Sequence, residues 1–298
     1  MTVNNKIYSK FFTASDGLRL HYLHHPCEEM KSKSYCLLLH GFTNDAHIWD
    51  DLAAKLRLDH HVVALDMRGH GDSEWDRKEQ YSHWTLAEDL QEFMGAFVGA
   101  EWHVIGHSLG GRVAIISLED IAQRILSLTV VDAGPEVSKM AGDRIVNDAL
   151  KAPEYFKDVE DFKTYLQRIY LVADAVRIDQ MASFGLRFHN KLLRMKTDPA
   201  FTPGVWHKSD KFLQMEKEQG ELGDRLWRAL GSLKFPVHLV RGQASAILES
   251  QLARKMIEKI GANATLSVVS KAGHAVIVDN PKVSEELIVD FIKKAQNI

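Results

Sequence analysis

Short apolar runs alternate along much of the chain with stretches in which apolar residues recur every three or four positions. The second pattern is clearest at 85–98, where the apolar side chains fall on one side of a helix. The first pattern is typical of strands that are buried on both faces of a sheet. Such strands are predicted at 35–39, 61–66, 102–106, 126–132, 236–241 and 265–270. Repeated strand–helix alternation predicts an α/β fold with a mostly parallel central sheet flanked by helices.

Two segments depart from this alternation. Near the N-terminus, the runs 7–14 and 18–24 flank Ser15-Asp16-Gly17, and turn residues between two strand-like runs predict an antiparallel hairpin. Residues 134–233 have helical periodicity, many charges and scattered aromatics, but no run that predicts a strand. We therefore expect a sheet domain made of residues 1–133 and 234–298, with a helical lid inserted at 134–233 over a substrate pocket.

Composition narrows the class of protein. The 298 residues are 45% hydrophobic, which is enough for a large core, and the net charge of -3 makes a nucleic-acid partner unexpected. Two cysteines are too few for a disulfide scaffold. The first residues lack the apolar stretch of a signal peptide, and no run approaches a membrane span. We expect a cytoplasmic protein with a small-molecule substrate and no membrane partner. The sequence leaves the oligomeric state open.

One motif carries a specific chemistry. Residues 106–111 read Gly-His-Ser-Leu-Gly-Gly between a predicted strand and a predicted helix. This is the G-x-S-x-G nucleophile elbow in its strand–turn–helix context, in which a sharp turn exposes the serine hydroxyl beside backbone N–H groups. We therefore predict that Ser108 is a nucleophile. No cofactor is expected, because a dinucleotide glycine fingerprint is missing, and the 15 histidines have no zinc-type spacing that would predict a metal site.

With three further motifs, the chain resembles the α/β-hydrolase superfamily from about residue 7 to the C-terminus. Residues 40–42 (His-Gly-Phe) resemble its oxyanion-hole motif, and residues 66–73 (Asp-Met-Arg-Gly-His-Gly-Asp-Ser) resemble its D-x-R-G-x-G-x-S loop. Residues 272–274 (Ala-Gly-His), followed by Asp-Asn-Pro at 279–281, resemble its catalytic-histidine loop. The 66–73 loop is expected to have a structural role, with Arg68 and Asp72 holding it by hydrogen bonds.

The resemblance implies a role for several residues. The backbone N–H groups of Phe42 and Leu109 would form the oxyanion hole, and His274 would be the base that takes the serine proton. Residues beside these groups are expected to contact the substrate: His40, Gly41 and His107.

The acid of the catalytic triad is missing from its usual place. Most relatives carry an aspartate shortly after the strand that here ends near residue 241, whereas this chain has Ser245 there. Some relatives supply the acid from the end of the preceding strand, where this chain has Asp132. Asp132 is therefore the predicted acid. Glu249, Glu136 and the absence of any acid are the alternatives.

A serine nucleophile points to acyl transfer to water. We expect a carboxylesterase- or lactonase-like hydrolase, and the aromatic lid favours a small apolar or aromatic substrate. The alternatives are a carbon–carbon hydrolase that acts on a ketone-containing ring-cleavage product, and a member of the superfamily that binds a ligand without catalysis.

Overall fold

The computed structural model describes residues 6–28, 34–118, 121–201 and 211–296. Its ten strands within these ranges are β1 Tyr8–Thr13, β2 Arg19–His25, β3 Ser34–Leu39, β4 His61–Leu65, β5 Glu101–His107, β6 Ile125–Val131, β7 Leu186–His189, β8 Leu192–Met195, β9 Val237–Gly242 and β10 Ala264–Val269. The α-helices are α1 Asp50–Leu56, α2 His83–Gly95, α3 Leu109–Leu118, α4 Lys139–Leu150, α5 Val159–Ile169, α6 Ala175–Phe184, α7 Lys211–Ser232, α8 Ser250–Ile260, α9 Val276–Asp279 and α10 Pro281–Ala295.

Eight strands form one sheet in the order β1-β2-β4-β3-β5-β6-β9-β10. β2 is antiparallel to both β1 and β4, and the remaining neighbours are parallel. The predicted N-terminal hairpin and the mostly parallel sheet are therefore confirmed. Because β3, β5, β6 and β9 run in the same direction, their carboxyl ends lie along one edge of the sheet, where sites in such folds are built.

The core lies on both faces of the sheet. In β3, Leu37 and Leu39 pack with apolar side chains of α2, α3, α7 and α8, whereas Cys36 and Leu38 pack on the opposite face with α1 and α10. This two-sided burial explains why the strand sequences are continuously apolar rather than alternating. Cys27 and Cys36 are both buried and are not joined in a disulfide.

The segment between β6 and β9 contains a feature that the sequence analysis did not predict. β7 and β8 form a two-stranded antiparallel sheet, so the expectation of an all-helical insertion is wrong. Asn190 and Lys191 form the turn, and both have positive φ angles, 49° and 69°. Paired positive φ values are typical of a type I′ hairpin turn, which favours Asn but not Lys. Because lysine is not typical of this turn, the sequence did not predict the hairpin.

The predicted lid boundary at residue 233 also needs correction. The described side chains of α7 that are buried include Leu222, Leu226 and Leu230, and they belong to the main core beside α3 and α8. The C-terminal half of α7 is therefore part of the sheet domain. A separate small core inside the insertion holds α5 and α6 together around Phe156, Phe162 and Leu166. Across the described ranges, no helix is both long enough and apolar enough to cross a lipid bilayer.

Candidate active site

Ser108 occupies the sharp turn between β5 and α3. Its φ angle is +51°, in the left-handed region that costs a non-glycine residue about 1 kcal/mol or more. The turn brings backbones unusually close: a Cβ on Gly106 would lie 2.5 Å from the carbonyl oxygen of Gly110, and one on Gly110 would lie 2.6 Å from that of Leu39. Only glycine fits at these two positions, which explains the motif around the serine.

Three side chains that are distant in sequence form a continuous hydrogen-bonded chain. Ser108 Oγ lies 2.9 Å from His274 Nε2, and His274 Nδ1 lies 2.8 Å from Asp132 Oδ2. An ionised carboxylate only accepts hydrogen bonds, so Nδ1 carries the proton toward Asp132. Nε2 of the neutral ring then faces the hydroxyl of Ser108 as an acceptor. This is the arrangement in which an imidazole can take the serine proton.

Asp132 is held rigidly and is shielded from solvent. It follows β6 with a φ of +48° and has no exposed surface. The N–H of Gly242 donates to its Oδ1 at 3.0 Å, and the hydroxyl of Ser245 lies 2.5 Å from its Oδ2. Ser245 Oγ also accepts from two backbone N–H groups, those of Ile247 and Leu248, at 3.1 Å. The hydroxyl proton of Ser245 is therefore directed at Asp132, and this hydrogen bond stabilises the carboxylate.

The alternative carboxylates lie elsewhere. Glu136 is exposed and accepts a hydrogen bond from Trp227 Nε1 at 2.9 Å. Glu249 is an exposed residue at the N-terminus of α8. Asp279 lies near the histidine loop, where it accepts from the N–H of Gly273 at 2.7 Å, and burial raises its pKa. Of these carboxylates, Asp132 is the one that is hydrogen-bonded to the imidazole ring of His274.

The two predicted oxyanion donors border the same cavity as Ser108. Phe42 follows the end of β3, and Leu109 begins α3. Neither backbone N–H has an acceptor among the described residues. Two unpaired N–H groups beside the hydroxyl are suited to binding a negatively charged oxygen.

The predicted substrate contacts of His40, Gly41 and His107 are not found, because none of the three borders this cavity. His40 is fully buried: its Nδ1 donates to the carbonyl of Gly41 at 2.8 Å, and its Nε2 accepts from the N–H of Met67 at 3.0 Å. His107 Nε2 donates to the carbonyl of His274 at 3.0 Å. Burial and the nearby His274 lower the pKa of His107 to about 3, so it is neutral. These residues support the loops.

A second serine–histidine–aspartate chain lies toward the β1 edge of the sheet. Ser9 Oγ is 2.8 Å from His21 Nε2, and His21 Nδ1 is 2.7 Å from Asp66 Oδ2. Ser9 lies in the extended edge strand β1 and does not border the cavity beside Ser108. Asp72 brings a third potential metal-binding atom within 4.8 Å of His21 and Asp66, but it pairs with Lys196 at 2.8 Å. Hydrogen bonds and this ion pair account for the cluster.

The 66–73 loop has the structural role expected of it. Arg68 is buried and forms ion pairs with Asp16, Asp76 and Asp89 at 2.7–3.3 Å. These pairs connect the loop to the N-terminal hairpin and to α2.

A cavity of about 810 Å³ opens above Ser108, which is within the range of small-molecule sites. Its apolar lining comes from the sheet edge, the N-terminal hairpin, α2 and the segment between β6 and β9: Ala14, Phe42, Trp84, Leu109, Ala133, Val137, Ile145, Phe201, Leu222 and Ile247. Arg112 also lines the cavity and was missed by the sequence analysis. Its position four residues after Ser108, one helical turn along the same face of α3, is a signal that could have identified it.

Comparison with known proteins agrees with this fold. The family model of the alpha/beta hydrolase fold matches residues 37–281. The monoacylglycerol lipase ABHD6 of Rattus norvegicus is 23% identical, over 98% of this chain and 87% of its own length. The 2-(acetamidomethylene)succinate hydrolase of Mesorhizobium japonicum is 25% identical, over 89% of this chain and 90% of its own. A crystal structure of E-2-(acetamidomethylene)succinate hydrolase superposes with a TM-score of 0.81 at 22% identity, over 97% of this chain and 100% of the other.

Proposed function

The chain belongs to the α/β-hydrolase family, and from this premise we propose that it is a serine hydrolase that cleaves a carboxylic ester or a lactone. The observation that carries the proposal is the unbroken chain from Ser108 through His274 to Asp132, which ends in a cavity beside two unpaired backbone N–H groups. The chemistry needs a nucleophile, a base, an acid that orients the base, and donors for the oxyanion. Ser108, His274 and Asp132 are candidates for the first three and lie within hydrogen-bonding distance of one another in that order, and Phe42 and Leu109 line the same cavity as Ser108.

The proposed reaction proceeds in two stages. Ser108 Oγ attacks the carbonyl carbon while His274 Nε2 takes the hydroxyl proton, and the N–H groups of Phe42 and Leu109 bind the negative oxygen of the tetrahedral intermediate. The tetrahedral intermediate then collapses: His274 gives the proton to the departing alkoxide, which leaves as an alcohol, and the acyl group stays bonded to Ser108 Oγ. Water then attacks the acyl group with His274 as the base, and Ser108 recovers its proton as the acid leaves. Asp132 stays ionised and stabilises the imidazolium.

Two features support an ester or lactone as the substrate. The cavity is large enough for a small acyl chain, and apolar side chains such as Phe42, Leu109 and Ala133 line it together with Ser108. The relatives include proteins named as a monoacylglycerol lipase and an esterase. They also include a hydrolase named for a succinate derivative, so the family alone does not choose the substrate.

The test is the hydrolysis of p-nitrophenyl acetate, butyrate and octanoate by the wild type, by Ser108→Ala and by Ser9→Ala. Ser9 is a matched control because it has the same hydrogen-bonding pattern but lies outside the cavity. We expect turnover to vanish in Ser108→Ala and to persist in Ser9→Ala. Loss of activity in Ser9→Ala with full activity in Ser108→Ala would reject the proposal.

A phosphonate probe that reacts with active serines separates catalysis from ligand binding alone. We expect it to label Ser108 in the wild type and to label neither Ser108→Ala nor Asp132→Asn at a comparable rate. If folded wild-type protein is not labelled and cleaves no ester, then the ligand-binding alternative replaces the hydrolase. If labelling occurs without ester cleavage, ketone-containing ring-cleavage products become the next substrates to test.

A further inference from the structure

One positively charged side chain faces the cavity without a compensating anion. Arg112 lies in the first turn of α3 and lines the cavity. Its Nε donates to the carbonyl oxygen of Gly134 at 2.9 Å, which fixes the side chain along the wall. In the part of the chain that the structure describes, its two terminal nitrogens have no hydrogen-bond acceptor and no carboxylate within 4.0 Å. The planar end of the guanidinium is therefore free to bind a ligand.

The other positively charged side chains among the described residues that line the cavity are either paired with carboxylates or exposed. Arg68 is saturated by three aspartates, Asp16, Asp76 and Asp89. Lys78 is exposed at the mouth of the cavity, within electrostatic range of Asp16. Arg112 combines proximity to Ser108 with an unneutralised charge.

The acidic residues of the lining do not neutralise Arg112 either. Asp16 and Asp89 pair with Arg68, Glu92 accepts hydrogen bonds from Ser15, and Asp132 bonds to His274. The remaining acidic residues of the described lining, Glu79 and Glu88, are exposed toward the mouth.

Burial of Arg112 makes its positive charge costly, because the described residues offer that charge no carboxylate partner. Burial lowers the pKa of Arg112 to about 10, so the side chain remains positive at neutral pH while partly deprived of water. Burial and the charge of Arg112 lower the pKa of the neighbouring His83 to about 3. A bound anion would compensate a charge that the protein itself leaves unpaired, and a guanidinium binds a carboxylate through two parallel hydrogen bonds.

We propose that Arg112 binds a carboxylate group of the substrate, so that the enzyme acts on acidic esters such as half-esters of short dicarboxylic acids. The inference rests on the proposed hydrolase function. The backbone N–H of Arg112 donates to the carbonyl oxygen of Ser108 at 3.2 Å, so the two residues are one helical turn apart, about 6 Å along the axis, and both line the same cavity. That spacing suits a dicarboxylate of succinate to adipate length. It refines the expectation of a purely apolar substrate, because the apolar lining would contact the chain between the two acyl groups.

The activity test compares each half-ester with a neutral ester of similar size. Ethyl hydrogen succinate, glutarate and adipate are assayed beside ethyl butyrate, pentanoate and hexanoate, with release of ethanol as the readout. We expect the wild type to prefer the half-esters in kcat/KM. A charge-assisted pair accounts for about 10- to 100-fold, and we expect Arg112→Gln to reduce the half-ester preference by that factor. Arg254→Gln, which removes an exposed arginine of α8 outside the cavity, should keep the preference.

A binding measurement does not depend on turnover. Titration calorimetry with glutarate should give a Kd at least about tenfold lower for the wild type than for Arg112→Gln, and Arg112→Lys should lie between them because lysine keeps the charge without the planar pair of donors. Circular dichroism checks that each variant is folded. If Arg112→Gln does not fold, Arg112→Lys and the half-ester preference of the wild type decide the question.

The outcomes separate this inference from the proposed function. Cleavage of neutral esters with no half-ester preference and no Arg112-dependent glutarate binding would overturn the inference and leave the hydrolase intact. Glutarate binding that depends on Arg112, without cleavage of any ester, would support the anion site and overturn the proposed hydrolysis of esters. A preference that survives in Arg112→Gln would place the carboxylate elsewhere.

Discussion

The identity of the acid can be tested by moving the carboxylate from position 132 to position 245. Asp132→Asn is a conservative first step, because asparagine tolerates the positive φ of this residue as aspartate does. The amide keeps the shape of the side chain but no longer stabilises an imidazolium, and it permits the wrong tautomer of His274. We expect kcat for p-nitrophenyl butyrate to fall by about 10⁴, the size of effect that amide replacement of a triad aspartate produces.

The size of the loss distinguishes two roles for Asp132. A factor of about 10⁴ corresponds to about 5.5 kcal/mol of activation free energy. A single hydrogen bond to a charged group contributes about 1.5–3 kcal/mol. A loss of only tenfold would therefore mean that Asp132 holds the ring of His274 in place without stabilising its positive charge.

The second step restores a carboxylate from the neighbouring strand end. Ser245 Oγ and His274 Nδ1 both contact Asp132 Oδ2. The carboxylate of an aspartate at position 245 would therefore lie close to the imidazole of His274. We expect Asp132→Asn/Ser245→Asp to be about 10- to 100-fold more active than Asp132→Asn alone. Ser245→Asp by itself should lower activity, because two adjacent buried carboxylates cannot both ionise readily.

The control is Asp279→Asn, which removes a carboxylate that contacts the histidine loop through the N–H of Gly273 rather than through the ring of His274. It should retain most of the activity. Asp132 does not stabilise the imidazolium if folded Asp132→Asn stays within tenfold of the wild type, and it is not the specific acid of the site if Asp279→Asn loses as much activity as Asp132→Asn.

Three further predictions concern stability and support of the site. Burial lowers the pKa of four histidines to about 3 or 4: His70, His103, His107 and His238. Below pH 6.5 the unfolded chain therefore binds more protons than the folded chain does. The free energy of unfolding measured in urea should fall as the pH is lowered below 6.5, by up to about 1.4 kcal/mol per pH unit for each of these histidines. His107→Phe removes the donor to the carbonyl of His274 and one titrating group, so kcat should fall about tenfold and the pH slope should lose about one proton; an unchanged slope would show that His107 does not titrate this way. Leu226→Ala should lower the unfolding free energy by about 2–5 kcal/mol, whereas a change below about 1 kcal/mol would contradict the placement of α7 in the main core.

Periodicity was sufficient to predict the elements of the sheet domain. The strands are apolar because both faces of the sheet are covered, and the helical periodicity at 85–98 corresponds to α2, His83–Gly95. The β7–β8 hairpin was missed because Lys191 at positive φ is a turn residue without a turn signature. The helical periodicity of α7 was visible, but periodicity does not reveal which domain a helix packs against.

Residue type predicts chemistry better than it predicts contacts. His40 and His107 have the donors and acceptors that a substrate site uses, yet the fold commits the ring nitrogens of His40, and Nε2 of His107, to backbone groups. Ser9 is also hydrogen-bonded to a histidine that contacts an aspartate, yet it lies in an extended strand outside the cavity. Ser108 differs in lying on a strained turn beside unpaired N–H groups. This backbone geometry is predicted by the glycines of the motif and not by the serine itself.

The serine at position 245 explains how the proposed acid can sit on a different strand from its usual place. β6 and β9 are adjacent and parallel, so their carboxyl ends deliver side chains to the same point beside His274. Asp132 reaches that point from β6, while Gly242 and Ser245 approach from β9 as hydrogen-bond donors to its two oxygens. An aspartate at 245 would have faced the same imidazole but would have repelled Asp132. A serine whose oxygen already accepts two backbone N–H groups has its proton free for the carboxylate, so the position that usually holds the acid here stabilises the negative charge of its neighbour.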